Sequence, residues 1–252
     1  MILEPRDISL FARCPKLYHS KRYDLIQPKL SIVESVIRDS IIEAEEKALL
    51  KDSVVYPSKV HRVWDRLWWP IAVENNISLE EAEKLAVSAA FKLSDYCKYD
   101  FTNYFHPTIS VRAVGEKFLN SSTIFRAKAD ILKVNIEHNS KNLIIINFST
   151  QPFTHKQLSL DAGIRSLAYA FSLGEPEEIV TYLNVDIRES QKELKITSAN
   201  FRAPDLEEAK KMLYHLEVGI RKKINYFNPN ACGGCNECPD FNFLTKKSSR
   251  SK

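Results

Sequence analysis

The sequence predicts an α/β protein in which a helical first hundred residues precede a set of strands and flanking helices. Three observations carry this expectation. Apolar residues recur at helical spacing up to about residue 106. The period then shortens to that of strands. A run of four apolar β-formers, Leu143 to Ile146, has the length and composition of a buried strand.

In chain order, Asp7 is placed to cap a helix through "ISLFARCPKLYHSKRY", with Leu10, Phe11, Leu17 and Tyr18 as its apolar residues. After Pro28, "SIVESVIRDSIIEAEEKALL" sets Ile32, Val36, Ile37, Ile41 and Leu49 at helical period, and a third helix is expected through "SKVHRVWDRLWWP". Ser78-Leu79-Glu80-Glu81 reads as a capping box opening a long amphipathic helix to about His106. Strands follow in "TISVRAVGEKFL", "STIFRAKADILKVNI" and "NLIIINFST", with turns at Asn120-Ser121-Ser122 and His138-Asn139-Ser140. A helix is expected from about His155 to Leu173, where Gly174 and Pro176 stop it. "EEIVTYLNVDI" and "KELKITSAN" are further strands, and "APDLEEAKKMLYHLEVGIRKKINYF" is an amphipathic helix leading to the last cysteines. The tail "TKKSSRSK" is polar and basic, as a disordered end would be.

With 252 residues, 44% hydrophobic and 27% charged, the composition is that of an ordinary globular protein. No apolar stretch approaches the length of a bilayer span, and "MILEPRDISLF" is no signal peptide, so a cytoplasmic location is the default expectation. The net charge of +4 permits an acidic partner such as DNA without demanding one.

The chemistry concentrates at two places. In "NLIIINFST" the alternation of a strand puts Asn147 and Ser149 on one face at the strand's exit, where α/β proteins often place a site, yet neither carries charge. Asp130 lies one hairpin earlier, where it could meet this polar tip; Asp39, taken alone, reads as a solvated helix residue. The second place is "CGGCNECP". Cys232, Cys235 and Cys238, followed by Pro, match the first part of the run that holds iron–sulfur clusters, and Cys14, itself followed by Pro15, is the natural fourth donor. A four-cysteine zinc site and accidental clustering with nothing bound are the alternatives. Cys97, between aromatics in a helix, reads as a small buried residue.

The order of these pieces resembles the RecB-like branch of the PD-(D/E)XK nucleases, and within it the iron–sulfur members such as the CRISPR-associated RecB-like exonucleases and the AddB nuclease domain. The resemblance spans about Ser9 to Pro239. It implies a mixed sheet flanked by helices, divided as a helical block with the first cluster cysteine (1–107), a nuclease-like core (108–228), a cysteine cluster (229–240) and a basic tail (241–252). It also implies a [4Fe–4S] cluster on Cys14, Cys232, Cys235 and Cys238, although relatives usually have a longer gap before the last cysteine. "SVIRD" stands at the family's Gly-x3-His, so Ser35 replaces Gly and Asp39 a metal-binding His. "AKAD" stands at Gly-x2-Asp, retaining Asp130 and replacing Gly by Ala127. In "INFST" Asn147 replaces the acidic residue and Ser149 the Lys; in "QLSLD" Gln157 is retained and Asp161 replaces Tyr.

In such nucleases, carboxylates and a His hold Mg²⁺ or Mn²⁺, which activates water, while the Lys supports the developing charge. Asn147 lacks the negative charge a hard cation needs, and Ser149 supplies no ammonium. Catalytic positions thus fall on Asp130, Asn147, Ser149 and Gln157, and residual metal ligands on Asp39 and Asp130. Lys128 or Lys156 would have to reach in for the missing Lys, and both read more simply as solvated surface. The expected function is that of a pseudonuclease: a DNA-binding subunit of a repair, recombination or CRISPR-adaptation assembly. The rivals are an active metal-dependent exonuclease with a rearranged site, and a scaffold that binds a helicase or nuclease partner without touching DNA. In the opening helix, Arg13, Lys16, Tyr18, Lys21 and Arg22 would favour DNA contact if exposed, with Tyr18 as a core residue the plainer reading.

Overall fold

The computed structural model describes residues 1–19, 30–51, 55–103, 107–137, 140–149, 170–173 and 179–224. A two-residue strand, β1 (Ile2–Leu3), has no counterpart in the sequence pattern. The first helix, α1 (Pro5–Arg13), starts earlier than expected. Its N-cap is Glu4 rather than Asp7, and Asp7 closes the cap from within the first turn, its Oδ2 accepting from the Glu4 N–H at 2.9 Å. The chain leaves the helix at Cys14, whose backbone is extended (φ −156°, ψ 99°), because the ring of Pro15 disfavours a helical residue before it. A short α2 (Pro15–His19) then restarts, so the expected single helix is two.

Ser31 caps α3 (Ile32–Leu50) through a reciprocal pair, Glu34 N–H to Ser31 Oγ at 3.2 Å and Ser31 N–H to Glu34 Oε2 at 2.7 Å. The next helix, α4 (Pro57–Glu74), runs past Pro70, where an end was expected. An interior proline forfeits a backbone bond. Burial outweighs that loss here, since Trp64, Trp68 and Ala72 continue one buried face across it, the two indoles stacked with centroids 5.2 Å apart. Ser78 opens α5 (Leu79–Asn103) as expected, its Oγ accepting from Glu81 N–H at 3.3 Å.

The strands β2 (Thr108–Asn120) and β3 (Thr123–Glu137) form a hairpin whose turn is fixed by Asn120 Oδ1 accepting from Ser122 N–H at 2.9 Å. Then come β4 (Ser140–Ser149), a helical turn at residues 170–173, β5 (Ile179–Asp186), β6 (Lys195–Phe201) and α6 (Ala203–Arg221). The helix expected from residue 155 lies outside the described residues up to position 169. The result is a mixed α/β fold. Its six strands make one sheet flanked by helices: β2 takes one edge of β3, β1 and β4 share the other, and β5 and β6 continue from β4. The β1–β3 and β4–β5 pairs are parallel and the rest antiparallel.

Alternation along β4 sorts the core. Ile144, Ile146 and Phe148 join Leu183, Val185 and the apolar faces of α3, α4 and α5. Leu143 and Ile145 join Val180, Tyr182 and Leu206 of α6 on the opposite face. A third cluster packs α1 against α6 through Phe11, Leu213 and Ile220. Among the described residues no helix is long and apolar enough to cross a membrane.

Gly219 of α6 has no room for a side chain, since a Cβ there would sit 2.9 Å from two ring carbons of the buried Phe11. Ala normally stabilises a helix interior by about 1 kcal/mol relative to Gly. At this contact Gly219→Ala should instead destabilise, by about 1–3 kcal/mol. A raised thermal midpoint would show that Phe11 can retreat.

Candidate functional site

The hairpin brings Asp130 of β3 beside Asn147 of β4, as the sequence suggested, and the two are locked together. The Asp130 N–H donates to Asn147 Oδ1 at 2.9 Å, and Asp130 Oδ2 accepts from Phe148 N–H at 2.8 Å. Side chains have thus replaced ladder bonds between the strands. The reason is a break in alternation: Ala129 lies in the α6-side cluster, whereas Ile131, two residues on, lies in the cluster under α3 to α5. Directly across on β2, between the pairs Val111↔Ile131 and Ala113↔Ala129, Arg112 has φ 51°, a left-handed conformation uncommon outside glycine. Both strands therefore turn over at this point, and Asp130 is left with its carboxylate 11% exposed.

What meets that carboxylate is Arg38 of α3. Its Nε donates to Asp130 Oδ1 at 3.0 Å, and its Nη2 donates to the same oxygen. Burial alone would lower the Arg38 pKa, but the hydrogen bond and charge of Asp130, together with the charge of Asp39, hold it above the ordinary arginine value. A second charged contact sets the docking. Lys133 of β3 pairs with Glu45 of α3 at 2.9 Å, both fully buried, and Glu45 also accepts from the hydroxyls of Tyr96 at 2.7 Å and Thr108. Seven residues of helix advance about 10.5 Å, and three residues of strand about 10 Å. The spacing Arg38 to Glu45 on α3 therefore matches Asp130 to Lys133 on β3, and the two pairs hold the helix along the strand.

A further polar group closes the same end of the sheet. Glu34 Oε1 accepts from Glu189 N–H at 2.7 Å, and the buried Lys92 of α5 donates to the Arg188 carbonyl at 2.7 Å. Asp186, paired in register with Ser149, is held by Arg188 at 2.7 Å. Burial pushes Lys92 below the ordinary lysine value, opposed by the charges of Glu34, Glu189 and Asp186. These contacts tie α3 and α5 to the turn after β5.

The other sequence-derived positions fall as follows. Asp39 lines a cleft of about 480 Å³ between α3, α4 and β2, together with Glu43, Glu46, Lys47 and Arg112, and Asp130 is not part of its lining. Ser149 ends β4, its carbonyl accepting from Ile187 N–H at 3.1 Å. Lys128 is exposed on β3 and Ala127 is buried. Lys156, Gln157 and Asp161 lie outside the described residues, as do Lys21, Arg22 and the three C-terminal cysteines. Tyr18 packs edge-on against Phe11 and His19, at 5.7 and 5.1 Å between ring centroids. Cys97 is buried, as expected.

Among the described residues, the arrangement around Asp130 does not suit a divalent cation. Mg²⁺ needs an octahedron of oxygens and profits from more than one carboxylate. Here one Asp130 oxygen is held by a guanidinium, the other by a backbone N–H, and the Asn147 oxygen is spent on the Asp130 N–H. Among the described residues no group of three His, Cys, Asp or Glu is placed to hold a metal ion. The donor chemistry of the cysteines does suit a cluster. Cys14 is a fully buried free thiol at the α1–α2 break. Just past the end of α6, the Ile224 carbonyl meets His19 Nε2 at 3.1 Å, which sets the exit of α6 beside α2. The eight residues from Ile224 to Cys232 span at most about 28 Å when extended, and the C-terminal cysteines themselves lie outside the described residues.

No family model matches the chain, and no curated protein matches its sequence. Among solved structures it is similar to an alkaline exonuclease from Laribacter hongkongensis, at 10% identity and a TM-score of 0.33, covering 63% of this chain and 70% of that one. It is also similar to a proposed exonuclease from Eubacterium rectale, at 9% identity and a TM-score of 0.46, covering 96% of this chain and 87% of that one.

Arg38 is the residue that sequence reading missed. Its signal was available only as a pair of matched spacings, Arg-x6-Glu on a helix and Asp-x2-Lys on a strand, which acquire meaning once the two elements are known to face each other.

Proposed function

We propose that the chain is a RecB-like pseudonuclease, a DNA-binding subunit of a repair, recombination or CRISPR-adaptation assembly that no longer hydrolyses phosphodiesters. The observation that carries this reading is the state of Asp130. The resemblance makes it the metal-binding carboxylate, and both of its oxygens are already engaged, one of them by the permanently charged Arg38. A cation brought to Asp130 would meet a fixed positive charge, and Asn147 offers no second carboxylate to offset it. Loss of the charge at Asn147 and of the ammonium at Ser149 removes two terms that each supply several kcal/mol of barrier lowering.

Cys14, Cys232, Cys235 and Cys238 would hold a [4Fe–4S] cluster that joins the two ends of the chain. Its contribution would be structural, closing a loop of nearly the whole sequence. The test combines three readings on one anaerobic preparation. Iron and acid-labile sulfide should be present in near-equal amounts, and Cys14→Ala should lose them along with much of its thermal stability. DNA with a free or single-stranded end should bind, and should remain uncut with Mg²⁺ or Mn²⁺. Cleavage by the wild type that an Asp130→Ala control lacks would overturn the pseudonuclease reading. Stoichiometric zinc in a colourless protein would replace the cluster, and absence of binding at low salt would leave a scaffold.

A further inference from the structure

We propose that Arg38 is a phosphate-binding residue, presented to the DNA backbone by Asp130 at the place where a nuclease would hold its metal ion. The inference rests on the DNA-binding reading above and names the contact through which that binding runs. A guanidinium carries five N–H donors in a rigid fork. The Nε hydrogen and one on Nη2 go to Asp130, and no other acceptor for Arg38 exists among the described residues, so three donors remain. The Arg38 side chain is 35% exposed while its carboxylate anchor is 11% exposed. One side of the fork is therefore fixed in the protein and the other faces solvent.

That geometry performs the binding part of a metal's task without its chemistry. A divalent ion in such a position bridges a protein carboxylate to a phosphate oxygen. An arginine with one edge on a carboxylate can bridge the same two groups, because the fork matches the spacing of phosphate oxygens. The anchor also fixes the side chain before the ligand arrives, so little rotamer freedom is lost on binding. It supplies no Lewis acid and no activated water, in keeping with a site that binds and does not cut.

Arg112 lies beyond this contact, its side chain lining the cleft that also holds Asp39 and Glu46. It is exposed, lies directly across β2 from Asp130 with φ 51°, and has no ion-pair partner among the described residues. The acids set the limit. Lys47 and Arg66 neutralise Glu43, but Asp39 and Glu46 line the adjoining cleft and repel a polyanion there. The expected contribution is thus one phosphate contact at Arg38, not a long basic track.

The experiment measures anisotropy of a labelled duplex with a single-stranded end across a KCl series, in EDTA. Wild type is compared with Arg38→Lys, Arg38→Gln and the double variant Arg38→Gln with Asp130→Asn. The double variant carries no charge at either position and retains hydrogen bonding, so the fold survives where Arg38→Gln alone would leave Asp130 unpaired. Losing one phosphate contact should weaken binding roughly tenfold at moderate salt and reduce the slope of log K against log salt by about 0.7–0.9. Arg38→Lys should keep the slope. An unchanged slope in the folded double variant overturns the inference and leaves DNA binding intact elsewhere. Wild-type binding that EDTA abolishes and Mn²⁺ restores also overturns it, in favour of a metal contact. Absence of wild-type binding removes the inference together with the reading on which it rests.

Discussion

Lys133→Met should destabilise the protein by about 3–5 kcal/mol. The Lys133 ammonium is 2% exposed and its partner Glu45 is 1% exposed at the side chain, so neither charge has water to fall back on. Among the described residues, removing the ammonium leaves the Glu45 carboxylate with the hydroxyls of Tyr96 and Thr108, amid the apolar residues of α3, α5 and the sheet. An unpaired buried charge is costly for that reason. The pair as a whole is another matter, because its attraction is largely offset by the cost of taking both ions out of water. Lys133→Met combined with Glu45→Leu should therefore recover most of the loss. Urea unfolding of the two single variants and the double variant measures the coupling directly. A Lys133→Met loss below about 1 kcal/mol would mean that water reaches Glu45 and that the helix is held to the strand by apolar contacts alone. The result bears on the site, since the same docking aims Arg38 at Asp130.

The second large effect follows from the proposed pseudonuclease reading. Asn147→Asp with Ser149→Lys should give no metal-dependent cleavage while Arg38 remains, even though the two changes return an acid and a lysine to the strand. The fold should tolerate Asn147→Asp, since a carboxylate oxygen can accept from the Asp130 N–H as the amide oxygen does. The obstacle is the guanidinium on Asp130 Oδ1, which opposes a dication. Adding Arg38→Ala frees that oxygen and sets two carboxylates together. Saturable Mn²⁺ binding, followed by electron paramagnetic resonance, should appear in the triple variant and be absent from the wild type. Any cleavage should follow the same order, with each missing electrostatic group worth about 10²–10³ in rate. Cleavage by the double variant with Arg38 in place would show that the arginine yields to the metal, and would sink the proposed pseudonuclease reading.

Most of the elements and one half of the site were legible in the order of the residues. Helical spacing, the Ser78 cap and the alternation of β4 are local properties, because side-chain direction follows from the period of the backbone. Asp130 and Asn147 could be brought together on paper because a hairpin joins their strands. The end of α4 could not be placed, since Pro70 argued locally for a stop and the burial of Trp68 and Ala72 overrode it. Which residue of "SVIRD" meets Asp130 was settled only by packing. Asp39 and Arg38 differ by one position, about 100° around a helix, and no local rule says which of them faces the sheet. The docking of α3 on β3 makes the choice through the Glu45–Lys133 pair and the apolar face beneath, and the turn-over of the strands at Asp130 and Arg112 aims the carboxylate. Charge at a site depends on which elements face each other, and that is fixed by contact between segments nearly a hundred residues apart.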